Sequence, residues 1–137
     1  MRKRRILAAA LILLVVCAFA LRDSFVRLYV RLNSGALEDF ALAALEDGAG
    51  KRLSYGPWDA AAWQQAGVVE FYTRRSFAFG GVEKGFYYSK GDTPVSFQAA
   101  GYPLTEDGSL WRWADPYGNH GTTERILPCW FWYEAVL

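Results

Sequence analysis

The chain has 137 residues, of which 53% are hydrophobic and 17% aromatic, and its formal net charge is +1. This length suits one small domain and is too short for two well-packed ones. The high aromatic content excludes a disordered linker, because a chain this rich in aromatic residues can bury enough apolar surface to fold. There are only two cysteines, and Cys17 lies inside an apolar run, so a disulfide scaffold is also excluded.

The N-terminus has the pattern of a signal peptide or a signal-anchor helix. Arg2-Lys3-Arg4-Arg5 precede an uncharged apolar run, Ile6–Leu21, and such a basic flank stays in the cytoplasm while the following chain is exported. As a helix the run spans roughly 24 Å, against a hydrocarbon core of about 30 Å. Ala18-Phe19-Ala20 offers a cleavage site, whereas Arg22 favours an uncleaved anchor. Two locations therefore stay open: secretion after cleavage near Ala20, or a cell-membrane anchor through residues 6–21 with the C-terminal domain outside.

The charge of the exported part argues against nucleic acid as a partner. Four of the 15 basic residues and none of the 14 acidic residues precede Leu21, so the remainder carries a net charge of −3. A mildly acidic domain has no broad positive field for a phosphate backbone.

Residues 22–50 are predicted to form a helical stalk or a cap on the domain. A helical period runs from Asp23 to Glu46 with an interruption at Asn33-Ser34-Gly35, and the predicted N-caps are Asp23 or Ser24, then Ser34. Gly48-Ala49-Gly50 is predicted to be a C-cap followed by a hinge. As an alternative, the first stretch lies on the membrane surface. The apolar positions are Phe25, Leu28, Tyr29 and Leu32, then Leu37, Phe40, Ala41, Ala44 and Leu45.

Residues 51–137 are predicted to form an aromatic-rich antiparallel β domain. A short helix is expected over Trp58–Ala66, and the best hairpin turn is Glu106-Asp107-Gly108-Ser109. The last strand has bulky residues on both faces, which indicates a central strand covered twice, or an edge that binds something. The predicted strands are 68–73, 85–89, 95–98, 110–113, 122–126 and 130–136.

The fold class is therefore predicted to be α+β. It comprises an N-terminal membrane helix over residues 1–21, one or two amphipathic helices, and a five- or six-stranded antiparallel meander.

Several short motifs together resemble a group of small exported proteins of Gram-positive bacteria that have no assigned activity. The resemblance covers about residues 67–137 and a similar leader. It implies an extracytoplasmic compartment and one domain, and it implies no site residue. The motifs that carry it are Gly85–Ser89, Asp92-x-Pro94, Trp111-Arg112-Trp113 with Asp115 and Gly118, Glu124-Arg125-Ile126 and Trp130–Glu134.

Candidate catalytic residues are few, and none is assigned. His120 is the single histidine, and Cys129 lies in an apolar setting that favours an inert thiol, so a Cys129–His120 pair is a minor alternative. Glu70 and Glu134 occupy apolar strands, where a paired-carboxylate hydrolase is one interpretation. The preferred one gives each an arginine partner, Arg112 or Arg125, or exposure to solvent.

No metal site and no cofactor are predicted. Asp115, Asn119, His120 and Glu124 offer ligands that would suit only calcium, and their spacing matches no known loop. Asp115-Pro116-Tyr117-Gly118-Asn119 is better explained as a turn.

The aromatic residues are the remaining candidates for binding. Trp111 and Trp113 share one face of a strand, as do Trp130 and Trp132, and the four would form a slab near Tyr88 if their strands lay close together. The slab would bind a ligand if exposed and would form the core if buried. We therefore expect a non-enzymatic extracytoplasmic interaction module that binds an unknown protein through an aromatic sheet surface. The alternatives are a carbohydrate-binding module with a tryptophan platform and, less favoured, a hydrolase.

Overall fold

The computed structural model describes residues 2–48, 51–76 and 80–137. It is α+β, as predicted, with two helices followed by an antiparallel sheet of eight strands instead of five or six. The helices are α1 (Arg2–Ala20) and α2 (Arg22–Asp47). The strands are β1 (Leu53–Tyr55), β2 (Trp58–Trp63), β3 (Val68–Arg74), β4 (Val82–Ser89), β5 (Thr105–Asp107), β6 (Leu110–Ala114), β7 (His120–Leu127) and β8 (Trp130–Val136).

The sheet consists of two four-stranded meanders joined through their last strands. Its order is β1-β2-β3-β4-β8-β7-β6-β5, so β4 and β8 lie side by side at the centre. The expected single meander is therefore wrong in its connectivity, because residues 90–104 cross from the central β4 to the far edge at β5. Strand β8 is paired with β4 on one side and with β7 on the other. The interpretation of β8 as a central strand is therefore confirmed, and the alternative of an edge strand is wrong.

Both faces of the sheet are covered by other parts of the chain. Helix α2 packs on one face through side chains such as Val30 and Leu37, which are fully buried. The crossover 90–104 covers the opposite face, where Phe97 packs against Tyr133 with ring centroids 5.4 Å apart. Since neighbouring residues of a strand point to opposite faces, β8 supplies Trp132 to the α2 face and Tyr133 to the crossover face.

The N-terminal end of α2 differs from the predicted cap, whereas the predicted C-cap at Gly48 is confirmed. The helix begins at Arg22, and Leu21 stands at the N-cap position without a side-chain hydrogen bond. The interruption predicted near Asn33 is confirmed as a local departure from helical dihedral angles (φ −120°, ψ 17°) within one helix. Gly48 is the C-cap, and its N–H donates to the Ala44 carbonyl at 2.8 Å. The predicted hinge at residues 49 and 50 lies outside the described residues.

Two local predictions are wrong because tertiary pairing overrides local propensity. The expected helix over Trp58–Ala66 is β2 followed by one 3-10 turn, since β2 pairs with β1 on one side and β3 on the other. The expected strand over residues 95–98 is part of the crossover. There Gln98 and Ala99 have positive φ angles (56° and 48°), which do not occur in a strand.

Helix α1 exposes its apolar side chains. Leu7 is 77% exposed and Phe19 73% exposed, and the residues between them are exposed as well. In the described ranges no helix on its own has the length and hydropathy of a membrane span, whereas α1 and α2 taken together do by length and composition, with a bend of 52° between them.

Candidate functional site

The aromatic residues predicted to bind a ligand do not share one surface. Trp130, Trp132 and Tyr88 lie on the α2 face, whereas Trp111 and Trp113 lie on the crossover face. Strand β7 separates β6 from β8, and its register places Trp111 in line with Thr123 and then Tyr133. The slab of four indoles is therefore not formed, because the two tryptophan pairs have opposite parity in the pleat.

Most of these side chains belong to the core. Trp130, Trp132, Tyr88 and Trp113 are buried, and Trp111 alone is half-buried. Trp130 packs against Phe86 with ring centroids 6.1 Å apart. After residue 50 the sequence has few large aliphatic residues, so the aromatic rings fill both interiors.

The α2 face has an open groove of about 570 Å³ over the second meander. Its floor is a cross-strand row in which Arg112 pairs with Thr122 and Thr122 pairs with Glu134. His120 and Val136 form the next row. No residue of α2 lines this groove, so α2 leaves this part of the sheet face accessible.

The groove carries charges of both signs. The Nζ of Lys84 contacts Glu134 Oε1 at 3.3 Å and Asp23 Oδ2 at 3.0 Å. Arg112 donates through Nε to Asp107, and His120 is exposed. The arginine partner predicted for Glu134 is therefore wrong, because β4 places a lysine beside it. Such a surface suits a partner that presents polar groups of both signs together with apolar side chains.

Glu70 is a buried carboxyl on the crossover face, 1% exposed. Tyr72 OH donates to its Oε2 at 3.0 Å, and Trp63 Nε1 donates to the same oxygen at 3.2 Å. The Gln98 N–H in the crossover donates to Oε1 at 2.6 Å. Burial raises the pKa of Glu70 to about 7, against the lowering effect of these donors.

The position of Glu70 contradicts both interpretations made from the sequence. Its partners are hydroxyl, indole and backbone donors, so the predicted arginine partner and the predicted exposure are wrong. Glu134 extends from the opposite face of the sheet, and the two carboxyls therefore share no cleft. The alternation of Glu70 with Tyr72 along β3 was a visible signal for a hydroxyl partner on the same face.

Two further polar atoms near Glu70 are buried without a hydrogen-bond partner among the described residues: Tyr133 OH and Glu83 Oε2. Arg75 lies over the Tyr72 ring at 4.1 Å, and its Nε is 3.8 Å from Glu83 Oε2. Burial raises the pKa values of Tyr133 and Glu83. This cluster joins β3, β4 and β8 beneath the crossover.

Cys129 and His120 lie at opposite ends of β7. The strand has eight residues, which separates them by roughly 25 Å. Cys129 takes a positive φ of 67° in the turn between β7 and β8, and its N–H donates to Asp92 Oδ1 at 2.6 Å. Burial raises the pKa of its thiol. The minor Cys–His alternative is therefore excluded by distance.

The segment 115–119 forms the predicted turn. Asp115 Oδ1 accepts hydrogen bonds from the N–H groups of Tyr117 at 2.8 Å and Asn119 at 3.0 Å, and Gly118 has a φ of 96°. Within residues 2–48, 51–76 and 80–137, no group of three or more histidine, cysteine, aspartate or glutamate side chains is placed to hold a metal ion.

Comparison of the chain with protein-family models, with curated proteins and with solved structures found no match.

Proposed function

We propose that this chain is a non-enzymatic interaction module that α1 holds at the outer face of a cell membrane. The observation that carries the proposal is α1 itself. Its apolar side chains from Ile6 to Ala20 are exposed, and four basic residues of the sequence, at positions 2–5, stand at its N-terminal end. A helix that is apolar on all sides needs an apolar surrounding, and the bilayer supplies one with the cationic end inside.

The domain is attached closely to that helix. Arg22, the first residue of α2, donates from Nη2 to the Thr73 carbonyl at 2.7 Å, and the next residue, Asp23, contacts Lys84. The sheet therefore lies within one helical turn of α1. A membrane-held form would present the sheet directly at the bilayer surface, without a flexible stalk.

A non-enzymatic role is supported by where the reactive groups lie. The carboxyls of Glu70 and Glu134 are on opposite faces, and Cys129 is a strand's length from His120. None of these pairs shares a substrate position.

The groove over the second meander is the surface that we assign to a protein partner. It is open, of mixed polarity, and bordered by β5, whose three residues form an exposed edge of the sheet. The aromatic residues predicted from the sequence to bind a partner are less suited to this role than the groove, because most of them lie in the interior. A glycan platform has the weakest support, since only Trp111 of the four tryptophans is half-exposed.

Fractionation of bacteria that express the full chain tests the membrane location. We expect a full-length chain in the membrane fraction after alkaline extraction, with the sheet domain digested by protease added outside intact cells. Leu13→Asp places a charge in the apolar run, costs roughly 3 kcal/mol of insertion free energy and should release the chain. Ala43→Asp, at an exposed position of α2, is the matched control and should stay bound.

Two results would contradict this proposal. A full-length chain in the cytoplasm would exclude the membrane and the outer location together. A chain that begins near Leu21 in the medium would exclude the anchor and would leave a secreted module.

Photo-crosslinking from position 122 in the groove, with position 54 on β1 as control, tests the partner surface. Equal labelling from both positions would exclude the groove as that surface.

A further inference from the structure

Helix α2 has two apolar faces, and only one of them is covered. Val26 and Val30 face the sheet and are buried. On the other side, four large apolar residues are spaced by four, three and four positions along the chain. At about 100° per residue they fall within a stripe roughly 60° wide, on the side of the helix opposite Val30. These residues, which we call the seam, are Leu21, Phe25, Leu28 and Leu32, exposed by 49%, 59%, 50% and 75%.

The width of the seam distinguishes between a bilayer and another helix as its cover. A helix that lies on a bilayer presents a broad apolar face, whereas a stripe of two residues per heptad is the pattern of a paired helix. The exposed positions beside the seam are mainly polar: Arg22 and Ser24 on the first turn, and Arg31 further along. The apolar exception is Tyr29, which is 37% exposed.

The same spacing continues into α1 through Ala18, Leu14, Leu11 and Leu7, all of which are exposed. Because α1 is apolar on every side, these positions add continuity to the seam and no specificity. Across the bend, Leu21 N–H donates to the Cys17 carbonyl and Phe25 N–H to the Leu21 carbonyl, both at 3.0 Å. The helical ladder thus continues from one helix into the other.

We propose that the seam pairs with the seam of a second copy of this chain, in a parallel arrangement. The inference rests on the proposed membrane anchor, which would hold both N-termini on the same side of one bilayer. The sheets lie on the far side of each α2, so they do not collide in the pair. An apolar cleft of about 460 Å³ beside the seam, lined in part by Phe25, Tyr29 and Trp58, offers space for side chains of the facing helix.

The buried area indicates why the anchor is needed. The four seam residues of two copies would bury less than the approximately 1,000 Å² of a stable interface in solution. Confinement of both α1 helices to one membrane raises the effective concentration and compensates for a small contact. We therefore expect pairing of the full chain within a membrane.

Cysteine crosslinking in membranes tests the pairing. Both native cysteines are replaced by serine, and Leu28→Cys is compared with Arg31→Cys, an exposed position about 90° away from the seam. Under mild oxidation Leu28→Cys should give a disulfide-linked species of twice the chain mass, several-fold more than Arg31→Cys. Equal yields, or no dimer from a chain that is in the membrane fraction, would overturn the inference while the membrane proposal stands. A chain absent from the membrane would overturn both.

A charge exchange at the same position separates a second copy from the bilayer. Parallel pairing places residue 28 opposite residue 28, so full chains with Leu28→Glu should lose pairing with one another, and likewise those with Leu28→Lys. Co-expression of the two, with different tags, should restore co-purification from detergent-solubilised membranes. If lipid covers the seam instead, both charges are unfavourable and the mixture recovers nothing, which would overturn the proposal.

Discussion

At the scale of single residues, Glu70 shows how two opposing effects fix the state of a buried carboxyl. Three donors point at its oxygens and favour the ionised form, whereas the loss of water around a side chain that is 1% exposed favours the neutral form. The second effect dominates, and the pKa rises from about 4.5 to about 7. The crossover is therefore bonded to a group that is partly ionised near neutral pH.

This shift predicts a pH-dependent stability. An acid whose pKa is raised by folding binds its proton more tightly in the folded state, so its full contribution is present below pH 4.5. The free energy of unfolding should fall as the pH rises to about 7, by roughly 3 kcal/mol, and Glu70 should add no further change above that. Urea unfolding of the full chain in detergent micelles, between about pH 4 and about pH 8, measures this loss.

Glu70→Gln is the control because an amide does not titrate and still offers an acceptor to the Gln98 N–H. The difference between the two curves isolates Glu70 from Glu83, whose pKa burial also raises. Parallel curves for the wild type and the variant would show that Glu70 does not titrate in this range.

At the scale of elements, the strands with strong β-branched and aromatic patterns could be predicted from the sequence, and the weakly patterned ones could not. β3, β7 and β8 have such patterns and were placed correctly. β2 contains Ala60-Ala61-Ala62, which favours a helix by propensity, and it is a strand because it has partners on both sides. β5 has only three exposed residues, so it has no burial pattern to detect.

The central position of β8 makes its C-terminal half essential. Tyr133 pairs with Gly85 of β4 and with Thr123 of β7, and its ring covers Gly85 so closely that a Cβ there would lie 2.8 Å from its OH. A chain that ends at Trp132 should therefore lose cooperative unfolding, since two ladders and the crossover face are broken together. Circular dichroism during urea titration shows this loss.

A chain that lacks only Leu137 is the matched control. This residue is 40% exposed and follows the end of β8, so its removal should cost about 1 kcal/mol or less. A cooperative transition for the chain that ends at Trp132 would contradict the proposed role of β8.

At the scale of the whole molecule, the chain has three layers: α2, the sheet, and the crossover. This arrangement explains why the four tryptophans predicted to form one binding surface lie on opposite faces of the sheet. Within one strand the parity of Trp111 and Trp113, or of Trp130 and Trp132, could be predicted, because alternation is a local rule. Whether two strands present their tryptophans to the same face depends on the register across β7, which is decided by tertiary pairing. The groove was missed for the same reason, since Arg112, Thr122 and Glu134 meet only through that register.

The three layers also predict that tryptophans with similar sequence patterns contribute different amounts to the free energy of unfolding. Trp132 is 2% exposed under α2, and the guanidinium of Arg27 lies 5.1 Å from its ring. Trp132→Ala should therefore lower the free energy of unfolding by roughly 3–5 kcal/mol, measured by urea titration. Trp111 is half-buried at the side of Phe131, so Trp111→Ala should cost about 1 kcal/mol and keep the fold.

The same pair of variants separates a core role from a binding role. A folded Trp111→Ala chain that loses a partner or a glycan would assign the exposed part of this ring to binding, because stability would be nearly unchanged. Equal, large losses of stability for both variants would show instead that the crossover covers Trp111 as completely as α2 covers Trp132. The crossover side of the sheet would then offer less exposed aromatic surface, and the groove beside Glu134 would be the main sheet surface left to our proposal.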